Sequence, residues 1–301
     1  MRNPAPVAVQ VAGFLAAALA LTACDITIGT AQYSIREEKT FAVVGQAQLA
    51  LSTFDGSIEI RGWDRNEVAI EVEKIGPDQN TVDRIQVNAV QNGNVITIDV
   101  PKPSPYETTG MRRTPSANLV VSVPAKTAVV ARSGDGSIEA RRVSGRLDLD
   151  TDDGSVRVED CTGGLIVRTG DGHVYGRKVD GLVEIHTGDG TVGLDGVLTG
   201  VKIETRDGAV EVTARPGSRT DGEWDVTTGD GDVRVEVPKG FAADVDARTG
   251  DGRVRIDSIT DAPDAKAADD DERESVTGKL GGGGKALRIR TSSGSITVAL
   301  W

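Results

Sequence analysis

Short runs of alternating apolar and polar residues recur through the second half of the chain. The strings SGDGSIEA, TDDGSVRV, TGDGHVYG, TGDGTVGL and TRDGAVEV follow one another at steps of 18 residues, each with an Asp-Gly pair before its alternating run. Alternation of this kind is typical of a β-strand that buries one face. We therefore predict an all-β fold, a β-solenoid (β-helix) with 18-residue coils that each contain two short strands.

Alignment of the repeats places apolar residues in columns, with charged or polar residues between them. A single pair of short strands buries little surface, so the coils must stack and share one interior. An array of hairpins would also use Asp-Gly turns and is the competing arrangement, but a strict period with two different corners favours coils. The columns are Ile138, Val156, Val174, Val192 and Val210; Leu147, Leu165, Val183 and Val201; Leu149, Val167, Ile185 and Ile203; and a polar column of Thr151, Thr169, Thr187 and Thr205.

The repeated Asp-Gly pairs are predicted to be structural turns. Glycine can take a positive φ without steric cost, and Asp can hydrogen-bond to its local backbone. A second corner is predicted at Gly145, Gly163 and Gly181. The predicted turn pairs are Asp135 and Gly136, Asp153 and Gly154, Asp171 and Gly172, Asp189 and Gly190, Asp207 and Gly208, Asp230 and Gly231, and Asp251 and Gly252.

Stacked Asp residues also suggest calcium, since carboxylates are its preferred ligands. Calcium-binding nonapeptide repeats have a different period, with an Asp in each short repeat. We therefore predict no metal site and no cofactor, with weak calcium binding at the turns as the alternative.

The two ends depart from the regular repeat. We predict a tether over residues 24–40, an N-terminal β-rich section over 41–130 and solenoid repeats over 131–301, with an acidic insertion at 261–284 that is a solvated loop. The N-terminal section caps the solenoid, because an open end would expose unpaired strand edges. It forms either broader coils or a small β-sandwich, and a Pro-rich loop lies at 101–115.

The first residues are typical of an export signal. Arg2 precedes an apolar run from Val7 to Leu21, which is too short to span a bilayer comfortably. The run ends in LTAC, which resembles a bacterial lipobox and implies a signal peptide over 1–23 and lipidation of Cys24. We expect the protein at the cell membrane, lipid-anchored on its extracytoplasmic face. The alternative is an ordinary secretory signal and a freely secreted protein.

Charge and the remaining reactive residues narrow the function. A formal charge of -12 argues against nucleic acid, which requires clustered Lys and Arg. Cys161 lies in an apolar column and is predicted to be a small buried residue. His173 and His186 have no nearby nucleophile or ligand cluster, and regular coils leave no loops for a catalytic cleft. We predict no enzymatic activity.

The outward columns are predicted to form charge pairs or a partner-binding face, and comprise Asp150, Arg168, His186 and Glu204, and Asp148, Ile166, Glu184 and Lys202.

Several longer phrases resemble a known family. DGSIEIRGWDRNEVAIEV, VSVPAKTAVVARSGDGSI and the terminal TSSGSITV are similar to the bacterial putative-adhesin family, a group of unknown function, over Ala42 to Trp301. The resemblance implies a β-helical surface module that binds an unidentified protein or surface ligand, and it transfers no active-site residue. A structural or signalling-accessory envelope lipoprotein, with a partner in the same membrane, is the alternative.

Overall fold

The structure, a computed structural model, describes residues 24–29, 32–103, 114–260 and 274–301. Strands dominate these ranges, and the predicted all-β fold class is confirmed. Within them no helix has the length and apolar character needed to cross a membrane. The predicted signal peptide, most of the Pro-rich loop and the first half of the acidic insertion lie outside the described residues.

The strands are numbered in chain order. Those of the N-terminal part are β1 (Cys24–Gly29), β2 (Gln32–Ala42), β3 (Ala47–Thr53), β4 (Ile58–Trp63), β5 (Glu67–Gly76), β6 (Asn88–Asn92), β7 (Val95–Val100), β8 (Ser116–Pro124) and β9 (Thr127–Ser133). Those of the middle are β10 (Ile138–Arg141), β11 (Leu147–Thr151), β12 (Val156–Thr162), β13 (Leu165–Thr169), β14 (Val174–Thr187), β15 (Val192–Gly196), β16 (Leu198–Thr205), β17 (Val210–Ala214), β18 (Trp224–Asp230) and β19 (Val233–Val237). Those of the C-terminal part are β20 (Ala243–Asp251), β21 (Val254–Ile256), β22 (Ser275–Leu280), β23 (Ala286–Ser293) and β24 (Ile296–Leu300).

The strands form two sheets that face each other across one apolar core. Sheet A runs in the spatial order β1, β2, β5, β8, β4, β10, β12, β14, β15, β17, β19, β24 and β21. Sheet B runs in the order β6, β7, β3, β9, β11, β13, β14, β16, β18, β23, β20 and β22. The long strand β14 rounds a corner and belongs to both sheets.

The middle of the stack consists of parallel strands, which excludes the hairpin arrangement there. Ile138 pairs with Val156, 18 positions later, and the same column continues through Val174, Val192 and Val210. The next step, from Val210 to Val233, is longer. The predicted apolar columns point inward: Leu149, Val167 and Ile185, for example, are fully buried. Full burial of one such side chain contributes about 1.5–3 kcal/mol, and stacking repeats this gain in every coil.

At both ends, the order of coils in space differs from their order in the chain. Strands β3 and β4 are the first coil in sequence, yet they lie between β7–β8 and β9–β10. The C-terminal coil, β23–β24, lies between β18–β19 and β20–β21. Stacking in strict chain order would place the last coil outermost. The structure differs because the last coil pairs with a neighbour on each side.

Antiparallel strands cover the sheet edges formed by β5, β7 and β20. Strand β2 pairs with β5 along its whole length, from Tyr33 with Gly76 to Ala42 with Glu67. The structure therefore has a strand over much of the predicted tether, since the free edge of β5 offers unpaired backbone groups. Strand β6 covers β7 in the same way.

The described part of the predicted acidic loop also contains a strand. Ser275–Leu280 forms β22, which pairs antiparallel with β20. Val276 and Leu280 are buried on its inner face. A solvated loop is therefore wrong for this segment, because its two apolar residues lie on the same face of the strand and cover the edge of the core.

The helix α1 (Gln79–Asp83) contacts β2 and β5 at the N-terminal end of the stack. The Asp78 carboxylate accepts a hydrogen bond from the Thr81 backbone N–H at 2.8 Å, which caps the helix. Val82 and Ile85 are fully buried. This segment therefore plugs the open end of the core.

Candidate functional site

All seven predicted Asp-Gly pairs lie at the same corner, where a strand of sheet B ends and a strand of sheet A begins. The seven Asp side chains are exposed. Asp55 stands at the same corner of the β3–β4 coil, where burial, followed by the nearby Asp135, raises the pKa of its carboxyl. Within the described ranges, no group of three or more His, Cys, Asp or Glu side chains is arranged to hold a metal ion.

The reason for glycine at this corner differs from the prediction. Of the seven predicted turn glycines only Gly252 has a positive φ. At the others the backbone of the neighbouring coil comes too close for any side chain: a Cβ on Gly190 would overlap the carbonyl oxygen of Gly172, and one on Gly172 would overlap that of Gly154. Glycine is required here by close packing of coil on coil. At the second corner, Gly163 and Gly181 do have positive φ.

The threonine column before each corner is buried and links the coils. The Thr187 hydroxyl donates to the carbonyl oxygen of Gly172 in the adjacent coil at 3.0 Å, and Thr169 donates to Gly154 at 3.0 Å. Thr228 and Thr249 make the same bond to Gly208 and Gly294. These bonds satisfy carbonyl groups that the tight corner would otherwise leave buried without a donor.

The outward columns of sheet B contain ion pairs. Arg168 Nη1 lies 3.0 Å from Asp148 Oδ1. His186 lies between two carboxylates, with Nε2 at 2.9 Å from Glu184 and Nδ1 at 3.0 Å from Glu204. The hydrogen bond from His186 is the main cause of a lowered pKa at Glu184. The predicted charge pairs of this face are therefore confirmed.

Cys161 is confirmed as a buried residue, 2% exposed. Burial raises the pKa of its thiol. A thiol held in the protonated form is a poor nucleophile.

A groove of about 420 Å³ lies on the outer face of sheet A, across β12, β14, β15 and β17. We call it the Tyr175 groove. It is defined by Arg157, Val158, Glu159, Tyr175, Gly176, Arg177, Gly193, Leu194, Asp195, Glu211, Thr213 and Arg215. Its volume is within the range of small-ligand sites, about 300–1,000 Å³.

The groove exists because the outward row of side chains is interrupted by a glycine. Arg157, Tyr175, Gly193 and Glu211 are neighbours in register on adjacent strands. The Tyr175 ring lies close to Gly193, where a Cβ would be 3.3 Å from the Tyr175 Cδ1. On its other side the Arg157 guanidinium lies 5.6 Å from the ring centroid, a cation–π distance. Tyr175 remains 41% exposed.

Paired charges surround this aromatic ring. Arg215 holds Asp195 with two nitrogens, Nε at 2.9 Å and Nη2 at 2.5 Å from Oδ2. This bond raises the pKa of the Arg215 guanidinium. Arg177 forms an ion pair with Glu159. The Arg215 guanidinium also lies 5.7 Å from the ring of Trp301, which is 45% exposed.

The groove was not predicted from the sequence, although one signal was present. In the aligned repeats Gly193 takes an outward position that is occupied by Arg157, Tyr175 and Glu211 in the neighbouring repeats. Gly193 also stands outside the Asp-Gly corner, where glycine has a packing role. A missing side chain on an otherwise charged face is the feature that would have identified this site.

The comparison with protein families concerns most of the chain. Residues 47–299 match the model of the Toastrack DUF4097 domain. This chain belongs to the Toastrack DUF4097 family. The match confirms the resemblance to the putative-adhesin family of unknown function, and a Toastrack domain is a β-solenoid-like fold. No curated protein gives a significant match to the sequence.

Three solved structures are similar to this Toastrack chain. A putative adhesin from Bacteroides fragilis NCTC 9343 is 10% identical, with 88% of this chain and 97% of that chain covered and a TM-score of 0.41. A putative lipid binding protein from Parabacteroides distasonis ATCC 8503 is 12% identical, with 87% and 96% covered and a TM-score of 0.45. A putative cell adhesion protein from Clostridium sporogenes ATCC 15579 is 11% identical, with 88% and 100% covered and a TM-score of 0.31. Such low scores support no functional comparison.

Proposed function

We propose that this Toastrack protein is a non-catalytic binding module, held on the extracytoplasmic face of the cell membrane by a lipid on Cys24. In this proposal the stack of 18-residue coils is a stiff scaffold, and the Tyr175 groove recognises a surface ligand or a partner protein.

One observation carries the proposal. Aromatic residues make up only 3% of the chain. Among the described residues, the two exposed aromatic side chains are Tyr175 and Trp301, and Arg215 connects them: it lines the groove with Tyr175 and lies over the ring of Trp301. Exposed Tyr, Trp and Arg side chains gathered at one place are typical of binding hot spots.

Recognition is tested with beads that carry the full chain. We expect the beads to be retained on a ligand-bearing cell surface, and the Tyr175→Ala variant to lose most of this retention. Leu182→Ala is the matched control, because Leu182 is exposed and lies in sheet B, the sheet opposite the groove. Equal retention of the wild type and Tyr175→Ala would remove the groove from the proposal. Retention that depends only on a protein of the producing cell's own membrane would assign the accessory role instead.

The anchor is tested separately by Cys24→Ser. We expect this variant to leave the membrane fraction and enter the medium, since it cannot carry the lipid that stabilises membrane binding by about 0.8 kcal/mol per buried CH2. A membrane-bound Cys24→Ser protein would contradict lipid anchoring at this residue.

A further inference from the structure

The charges in the Tyr175 groove are balanced, which restricts the kind of ligand it can take. Its cations are Arg157, Arg177 and Arg215, and its carboxylates are Glu159, Asp195 and Glu211. An anionic ligand would require an excess of Arg, and a cationic one an excess of carboxylates. The groove therefore suits a ligand without net charge.

Donors and acceptors alternate along the groove. Glu159, Arg177, Asp195 and Thr213 are neighbours in register on β12, β14, β15 and β17. Arg donates hydrogen bonds and a carboxylate accepts them. A sugar hydroxyl both donates and accepts, so a polyhydroxylated ligand can use both kinds of group at once.

The aromatic groups provide the second element of recognition. Tyr175 lines the groove beside Gly193, and Trp301 lies next to Arg215. Rings of this kind combine a large apolar area with low conformational freedom. The C–H face of a pyranose ring is apolar and matches such a surface.

The spacing of these groups favours a chain over a single sugar. The row from Glu159 to Thr213 runs across adjacent strands, which lie about 4.8 Å apart. This step is close to the length of one sugar unit in a linear chain, so successive units meet successive strands.

We propose that the Tyr175 groove binds a neutral hexose glycan, with sugar rings against Tyr175 and Trp301 and hydroxyls bonded to the Arg–carboxylate row. The proposal rests on the groove being the recognition site proposed above, and it adds the class of ligand.

The test is isothermal titration calorimetry of the full chain, purified in mild detergent, with cellohexaose, maltohexaose and mannohexaose. Polygalacturonate serves as the anionic probe. We expect at least one neutral hexamer to bind saturably and more tightly than polygalacturonate. Tyr175→Ala is expected to weaken this binding about tenfold, whereas Tyr175→Phe keeps the ring and most of the affinity.

A second variant keeps the test valid if Tyr175→Ala lowers stability. Threonine suits a strand, and in Gly193→Thr its side chain would occupy the groove. We therefore expect this variant to fold and to lose binding. Leu182→Ala is again expected to bind like the wild type. Absence of binding by all three hexamers, preference for polygalacturonate, or full affinity in Gly193→Thr would each overturn the glycan proposal. If the beads still adhere through the groove but no hexamer binds, the ligand class fails and the proposed function stands.

Discussion

The middle coils and the two ends of the solenoid are built from similar strands but stacked by different rules. From β11 to β17 every coil pairs with the coils before and after it in the chain. At the ends, β3–β4 and β23–β24 are enclosed by coils from distant parts of the sequence. The repeat alone therefore does not specify the neighbours of a coil: β20–β21 follows β18–β19 directly in the chain and has the same TGDG turn, yet β23–β24 lies between them.

Removal of the enclosed C-terminal coil should have the largest effect on the difference between the middle coils and the ends. A chain that ends at Gly284 lacks β23 and β24, which connect β20 and β21 to the rest of the stack. We expect the amides of β20 to β22 to lose their hydrogen-exchange protection completely, because among the described strands only β23 and β24 pair β20 and β21 with the rest of the stack. The amides of β12 to β16 should remain protected.

The opposite result has a clear structural meaning. The TGDG repeat of β20–β21 resembles that of β18–β19. If β20 to β22 stay protected after the truncation, they have stacked directly on β18–β19, and the chain order governs the ends as well.

The next largest effect is expected in the middle, from the close packing at the Asp-Gly corner. In Gly190→Ala the new Cβ would overlap the carbonyl oxygen of Gly172. We expect a loss of about 3 kcal/mol or more in the free energy of unfolding, measured by urea titration.

Gly193→Ala is the matched control for that substitution. Gly193 lies only three positions away on the same chain and has no positive φ, and its Cβ would meet the movable ring of Tyr175 at 3.3 Å. The free energy of unfolding should change by less than about 1 kcal/mol. Similar losses in both variants would show that coil packing is not what requires glycine at the corner.

The middle coils could be predicted from the sequence because the information is local. The Val156, Val174 and Val192 column, the corner glycines and the buried Cys161 all follow from alternation and from one repeated spacing. The reason for glycine at the corner could not be predicted in this way. The approach of the Gly172 carbonyl to Gly190 depends on the distance between coils, whereas the turn itself is satisfied by several backbone conformations.

The order of the coils at the two ends could not be predicted because it depends on distant residues. Ile58 pairs with Ile138, and Val233 pairs with Ile296, across long stretches of chain. No periodicity relates such residues. The Tyr175 groove was missed for a different reason: its row from Arg157 to Glu211 keeps the regular spacing, but the contacts of the Tyr175 ring depend on side-chain orientation. In the sequence the groove leaves only Gly193 as a signal.

A smaller effect is expected from the threonine links between middle coils. Thr187→Val keeps the shape of the side chain and removes the hydroxyl that donates to Gly172 at 3.0 Å. The carbonyl loses a buried hydrogen bond, so the free energy of unfolding should fall by about 1–2 kcal/mol. Thr97→Val is the control, since Thr97 is exposed on β7 at the N-terminal end. Equal changes in both would show that the links do not stabilise the stack.

The smallest effect is expected from the exposed charge network on sheet B. His186 donates to Glu184 at 2.9 Å, and this hydrogen bond lowers the pKa of the Glu184 carboxyl from its ordinary value. Because the folded-state pKa is depressed, the stabilisation is present above the unfolded-state pKa and is lost as the pH falls through the folded-state pKa. His186→Ala should therefore raise the pKa of Glu184, as followed by an NMR titration of its carboxyl carbon. At pH values above the unfolded-state pKa of Glu184, His186→Ala should lower the free energy of unfolding by less than about 0.5 kcal/mol, since the pair is solvated and screened. His173→Ala is the control. His173 lies beside the Asp171-Gly172 corner, so its loss should leave the pKa of Glu184 unchanged. A larger loss in His186→Ala would mean that these surface pairs contribute to holding the middle coils together, alongside the buried columns and the corner glycines.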